Sequence, residues 1–165
     1  MERDYLFKIG DNIVYPMQGA GTVTAIEEKD LFGEKQNYYI INLLNNMQIM
    51  IPSEKISAIG IRFVTDSNTL ETVLSNLRSV DLYTNESFTY KERYTINMTK
   101  IKSGDLIQSS EVIHDLMILE KGKALNSSEK QMLNSAKKLL LSEISLAKGL
   151  TEEEADTLLC SSVYN

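Results

Sequence analysis

The apolar positions of this chain keep two different rhythms, and the change falls near residues 64–67. In the first part they run in short stretches broken by turn residues. Ile9, Ile13, Val14 and Tyr15 suit a pleated, half-buried surface. Pro16, Gly19 and Gly21 then force a turn, because proline removes a ladder donor and glycine reaches backbone angles that branched residues refuse. A strand is predicted over 21–30, a glycine-containing turn at 31–34, and a second long strand over 36–44. There Tyr39, Ile41 and Leu43 alternate with Tyr38, Ile40 and Asn42, so both faces are largely apolar and the strand belongs in the middle of a sheet. Asn45 and Asn46 signal a two-residue hairpin turn, since asparagine tolerates positive φ; a strand over 47–51 returns antiparallel and Pro52 ends it. One helical turn at 53–56 and a short strand over 59–63, able to close the sheet, complete a five-strand pattern.

From Asp66 onward the apolar period lengthens from two to about 3.6. Leu70, Val73, Leu74 and Leu77 make one helix face; Tyr90, Tyr94, Met98 and Ile101 make another. Gly104 separates that second helix from a third with Leu106, Ser110, Ile113 and Met117 on one side, which Gly122 stops. Ser127 or Ser128 can cap a fourth helix whose inward set is Met132, Leu133, Ala136, Leu140 and Ile144, ended by Gly149. Thr151 with Glu154 three residues later matches a capping box and opens a last helix through Ala155, Leu158 and Leu159. The fold class expected is α+β: a Tudor-like or SH3-like small β-barrel over 1–64, then an all-helical domain of about five helices over 65–165.

Composition narrows the chemistry. With 165 residues and 42% apolar content the chain can bury a real core. A net charge of -6 argues against indiscriminate adhesion to nucleic acid or an acidic membrane. The lone cysteine, Cys160, excludes an internal disulfide, and neither it nor the only histidine, His114, has metal-ligand spacing around it, so no cofactor or metal is expected. The start Met1-Glu2-Arg3-Asp4 is too charged for a signal peptide, and no apolar run approaches the roughly 18 residues that cross a bilayer, which predicts a cytoplasmic protein.

The run Phe7-Lys8-Ile9-Gly10-Asp11, then Ile13-Val14-Tyr15-Pro16 and Gly19-Ala20-Gly21, with Ile51-Pro52 and Gly60-Ile61-Arg62 further on, resembles the CarD/CdnL family of bacterial transcription regulators. Arg93-Tyr94, Lys102-Ser103-Gly104-Asp105, Val112-Ile113-His114-Asp115-Leu116, Leu125, Glu129-Lys130 and Met132-Leu133 resemble that family's helical domain. The first motif is shared with the polymerase-interacting module of transcription-repair coupling factors; the helical segments choose between the two. The resemblance implies a non-enzymatic regulator whose barrel binds the β subunit of RNA polymerase through an exposed strand edge. Its helical domain would touch promoter DNA at the upstream edge of the melted region, stabilising the open complex and keeping the protein with the nucleoid through polymerase. The polymerase-contact positions implied are Lys29, Gln48 and Met50. Lys29 and Met50 stand where better-studied members carry arginines; lysine keeps the charge without the planar fork, and methionine loses it.

On the DNA side the expected contacts are Tyr90, which the resemblance implies, and Lys91, Arg93, Lys130 and Lys137 from two basic stretches. Many members place a tryptophan wedge where this chain, which has none, carries Tyr90. Tyr90 and Tyr94 are also spaced i, i+4 as in a buried stripe, so core and wedge both remain open. Charge patterning adds an independent observation. Four cations face one carboxylate between residues 88 and 104, and six face two between 121 and 148, inside an acidic chain. Such stretches are solvated helix faces unless they converge, in which case they contact phosphates; DNA binding would then be weak, low in sequence specificity and dependent on polymerase.

Two rival readings follow from the residues. An enzyme would have to draw on His114, Cys160 and Glu152, Glu153 and Glu154, which form no set of nucleophile, base and orienter at recognisable spacing. A Tudor-like peptide adaptor without DNA contact would use Tyr15, Tyr38 and Tyr39 as an aromatic cage for a methylated cation.

Overall fold

Turn chemistry sets the strand order of the first part. In the computed structural model, which describes residues 5–77 and 88–165, Tyr15 O accepts from Gln18 N at 3.0 Å and Met17 takes φ 67. With Pro16 between them this is a type II arrangement, joining β1 (Asn12–Tyr15) to β2 (Gly19–Leu31). Gly21 serves a different need from Gly19: a Cβ there would lie 2.4 Å from Asn42 O and 2.9 Å from Leu43 Cα, so only glycine lets β2 approach β3 (Glu34–Leu43). Phe32 and Gly33 both take positive φ in the turn closing Leu31 on Glu34. The third turn departs from the expected pair of asparagines. Asn46 N donates to Leu43 O and Asn46 alone is left-handed, so Leu44 and Asn45 form a type I turn and Asn46 the bulge that follows it.

β4 (Gln48–Pro52) returns beside β3, a 3₁₀ turn and α1 (Ile56–Ile59) follow, and β5 (Arg62–Phe63) ends the run. The order is β4-β3-β2-β1-β5, with antiparallel pairing throughout. β5 pairs with β1 rather than closing onto β4, so the sheet curls around its core while both ends stay unjoined among the described residues. Phe7, Ile13, Val23, Tyr39, Ile41, Leu43, Ile51, Ile56 and Ile61 fill that core. Tyr38 and Ile40, on the other face of β3, are buried as well, as their apolar character requires. The chain divides into two compact units, Met1–Val64 and Thr65–Asn165; the charged residues 1–4, read above against a signal peptide, lie outside the described residues.

The second unit holds α2 (Ser67–Asn76), α3 (Tyr90–Lys102), α4 (Leu106–Gly122), α5 (Ser127–Lys148) and α6 (Glu152–Tyr164). Asp66, Thr89, Asp105, Asn126 and Thr151 each accept a backbone N–H into the first turn, satisfying donors that a helix start leaves orphaned. The α5 cap is thus Asn126, one residue ahead of the two serines that sequence favoured, while the Thr151 and Glu154 box forms as expected. α4 touches α2, α3, α5 and α6, which is why Val112, His114 and Leu116 are buried beside the predicted stripe of Leu106, Ser110, Ile113 and Met117. Within this unit the buried Glu143 carboxylate of α5 accepts from Thr65 N at 2.9 Å.

Candidate functional site on an open strand edge and two helix starts

The edge strand β4 presents main chain in a defined order. Leu43 N donates to Met47 O at 2.8 Å, and antiparallel alternation from that bond turns Ile49 and Ile51 toward β3. The N–H and C=O of Gln48 and Met50 therefore point to the open side. Pro52, which has no N–H, falls at the next outward position and ends the edge. Tracing the register across the sheet puts Gln48, Met50, Ile40, Tyr38, Gln36 and Lys29 on one face. Lys29 and Met50 stand roughly 16 Å apart at ordinary strand spacings. Met50 is exposed and apolar. Lys29 is held by Glu27 at 3.4 Å, an exposed pair worth at most about 1 kcal/mol.

On the helical unit, two helix starts meet. The Tyr90 hydroxyl, in the first turn of α3, donates to Asn126 Oδ1 at 3.2 Å, and the same Asn126 caps α5 by accepting from Glu129 N at 2.9 Å. Lys130 lies one turn into α5, its N–H bonded to Asn126 O. Tyr90 is half-buried and outside the core cluster; Tyr94 and Met98 pack against that cluster and Ile101 is inside it. The predicted stripe is thus core from its second member on, and its first member sits at the surface, with its ring centroid 6.4 Å from that of Tyr94. Lys91, Arg93 and Lys130 are exposed and have no ion-pair partner among the described residues. Helix starts add the positive end of two dipoles to these cations.

Lys137 is not brought to this corner. It lies about 10 Å further along α5 by helical rise and bonds Asp156 of α6 at 2.9 Å. Burial pulls its ammonium down, and the bond and charge of Asp156 outweigh that, so it is held above the usual lysine range. Lys138 shares its groove with Glu152, Glu153 and Asp156. Elsewhere Lys100 pairs with Glu111, Lys148 with Glu71, and Lys121 lies over the Tyr164 ring. The sequence count of cations missed these counterions because they come from other helices. The packing of α6 and α2 on α5, of α4 on α3 and of α6 on α4 reveals them.

The rival sites do not assemble. Tyr39 is buried with its hydroxyl accepting from Phe7 N at 3.2 Å, Tyr38 points to the opposite face, and Tyr15 packs against the sheet core, so the three form no cage. His114 is buried beside Asp115, with Nδ1 and Oδ1 3.1 Å apart. Burial pushes the Cys160 thiol up, the wrong direction for a nucleophile. Among the described residues no three His, Cys, Asp or Glu side chains gather to hold a metal, and no helix is long and apolar enough to cross a membrane.

Comparison with known proteins adds the following. A family model described as the CarD-like/TRCF RID domain matches residues 7–65, and one described as the CarD C-terminal domain matches residues 72–160. The putative transcription factor YdeB of Bacillus subtilis (strain 168) is 46% identical over 150 residues, 90% of this chain and 97% of that protein. Among solved structures, the solution NMR structure of the 72-residue N-terminal domain of Myxococcus xanthus CarD is 32% identical, with 38% of this chain and 84% of that one covered at a TM-score of 0.32. CdnLNt from Myxococcus xanthus is 40% identical, with 39% and 92% covered at a TM-score of 0.31.

Proposed function

The chain belongs to the CarD family of transcription factors, and we propose that it joins RNA polymerase to promoter DNA and stabilises the open complex. Membership places it in transcription regulation, with a polymerase-interacting domain over residues 7–65. The finer assignment is ours: the sheet unit binds the polymerase β subunit and the helical unit touches the upstream edge of the melted region. In a cell this would keep the protein in the cytoplasm, on the nucleoid through polymerase.

One observation carries the polymerase half. Gln48 and Met50 offer unpaired main-chain groups on an edge that Pro52 terminates, which suits addition to a strand of the partner. Main-chain pairing gives affinity whatever side chains flank it, so methionine in place of a cation is compatible with the contact. For the DNA half, Tyr90 meets the Asn126 cap of α5, whose main chain also holds Lys130, and the exposed Lys91 and Arg93 stand in the same first turn of α3 as Tyr90. Such cations bind phosphate weakly on their own. Tethered to polymerase their effective concentration becomes high, and modest contacts suffice. If they bind the melted promoter better than the closed one, opening shifts by that difference, tenfold for each 1.4 kcal/mol.

A pull-down against purified polymerase β subunit tests the first half, and retention of this chain is expected. Tyr90→Ala with Lys130→Ala tests the second, with a shortened open-complex lifetime expected; an unchanged lifetime contradicts the DNA assignment.

A further inference from the structure

The β2–β3 hairpin outruns the rest of its sheet. β1 pairs with β2 only as far as Thr22, and β4 reaches β3 only to Tyr38. The pairs from Glu28 with Asn37 to Leu31 with Glu34 therefore make a two-stranded arm with both long edges open. Four pairs extend about 13 Å. At the tip stands Phe32, fully exposed at 103% and held at φ 57. Two unfavourable features meet on that residue. A large ring lies wholly in water, and an aromatic occupies the left-handed place of a type I′ turn, where asparagine, aspartate or glycine is the usual choice. Stability alone would not select it, and an outlier of this kind points to a contact.

The surroundings indicate what the ring meets. Glu28, Asp30 and Glu34 outnumber Lys29 and Lys35 on the arm, and Lys29 is already paired with Glu27 at its base. An acidic arm repels phosphate, which disfavours nucleic acid. An aromatic ring backed by carboxylates fits an apolar pocket with a basic rim, the kind of site where a buried anchor contributes most. Lys29 shares a face with Gln48 and Met50, so the arm continues the surface beside the β4 edge.

We infer that Phe32 is an anchor that enters an apolar, basic-rimmed pocket on RNA polymerase, next to the strand to which β4 adds; this rests on the polymerase contact proposed above. The turn accepts backbone strain so that the ring can stand clear of the arm.

Phe32→Asn gives the turn the residue it favours and removes the ring. The full chain carrying it should melt at or above the wild-type temperature, while its affinity for the purified polymerase β subunit, read by biolayer interferometry, falls about 10- to 30-fold. Met50→Pro serves as the edge control. If Met50→Pro loses binding and Phe32→Asn keeps wild-type affinity, the anchor is wrong and the edge contact stands. If the wild-type chain does not bind the β subunit at all, the polymerase contact fails and the anchor fails with it. A dimer in sedimentation that Phe32→Asn dissolves would assign the ring to a second copy of the chain and overturn the inference.

Discussion

The sheet unit and the helical unit present their surfaces by different means. On the sheet unit the offering is main chain: Gln48 and Met50 turn N–H and C=O groups outward, so in the contact proposed above the side chains around them would modulate rather than create it. The helical unit offers side-chain charge, and charge has to be counted net of what packs beside it. Lys100, Lys137 and Lys148 are each paired with a carboxylate on a neighbouring helix, whereas Lys91, Arg93 and Lys130, in the first turns of α3 and α5, have no ion-pair partner among the described residues. If both surfaces act as proposed, the edge should tolerate substitution at its side chains, whereas the cations of the helical unit should lose function one at a time.

The sharpest way to break that contrast is at the edge. Met50→Pro removes an outward N–H without touching the bonds of Ile49 and Ile51 to β3, so the fold should persist while β-subunit affinity falls about 100-fold, measured by interferometry. Lys29→Ala, whose charge Glu27 already occupies, should change it less than threefold. A large Lys29 effect with a small Met50→Pro effect would reverse the roles assigned to main chain and side chain.

Next in size are the cations of the helical unit. Lys91→Ala, Arg93→Ala and Lys130→Ala together should weaken the polymerase-dependent promoter complex about 30-fold at low salt and flatten its log–log salt slope by about 2 to 3, as three lost phosphate contacts require. Lys137→Ala should stay within about twofold, because Asp156 holds that ammonium.

Folding distinguishes the units as well. Gly21→Ala pushes a Cβ into Asn42 O and Leu43 Cα, both backbone, and should cost about 3 kcal/mol in chemical denaturation. The smallest effect belongs to the helical unit. Burial holds the Asp115 carboxyl above its usual range, against the opposing bond and charge of His114. The folded state then binds that proton more tightly than the unfolded one, so this group favours folding below the ordinary carboxylate pKa and ceases to as pH rises through the raised folded value. Asp115→Asn, which does not titrate, should melt a few degrees above wild type near neutral pH, with the gain disappearing in acid melts.

Periodicity made the two-part architecture legible, because a change from alternation to a 3.6-residue repeat is a property of local sequence. The strand run, α2 through α6 and the Thr151 box all follow from it. Three things were not legible. The Asn126 cap was hidden because its neighbours Ser127 and Ser128 have the same capping chemistry. β5 joined β1 rather than closing the sheet, since two residues carry no register of their own. The counterions of Lys100 and Lys137 come from residues 11 and 19 positions away, Glu111 and Asp156, and only packing brings them close. Tyr90 shows the same limit: its spacing from Tyr94 fits a buried stripe equally well, and the cap of another helix decides where it sits.

Residue-resolved hydrogen exchange of this chain, free and with the polymerase β subunit, tests the strand-addition claim most directly. Protection should rise at Gln48 and Met50, whose N–H groups face outward, while Ile49 and Ile51, already bonded to β3, change little. Binding with no new protection at Gln48 and Met50 would contradict it.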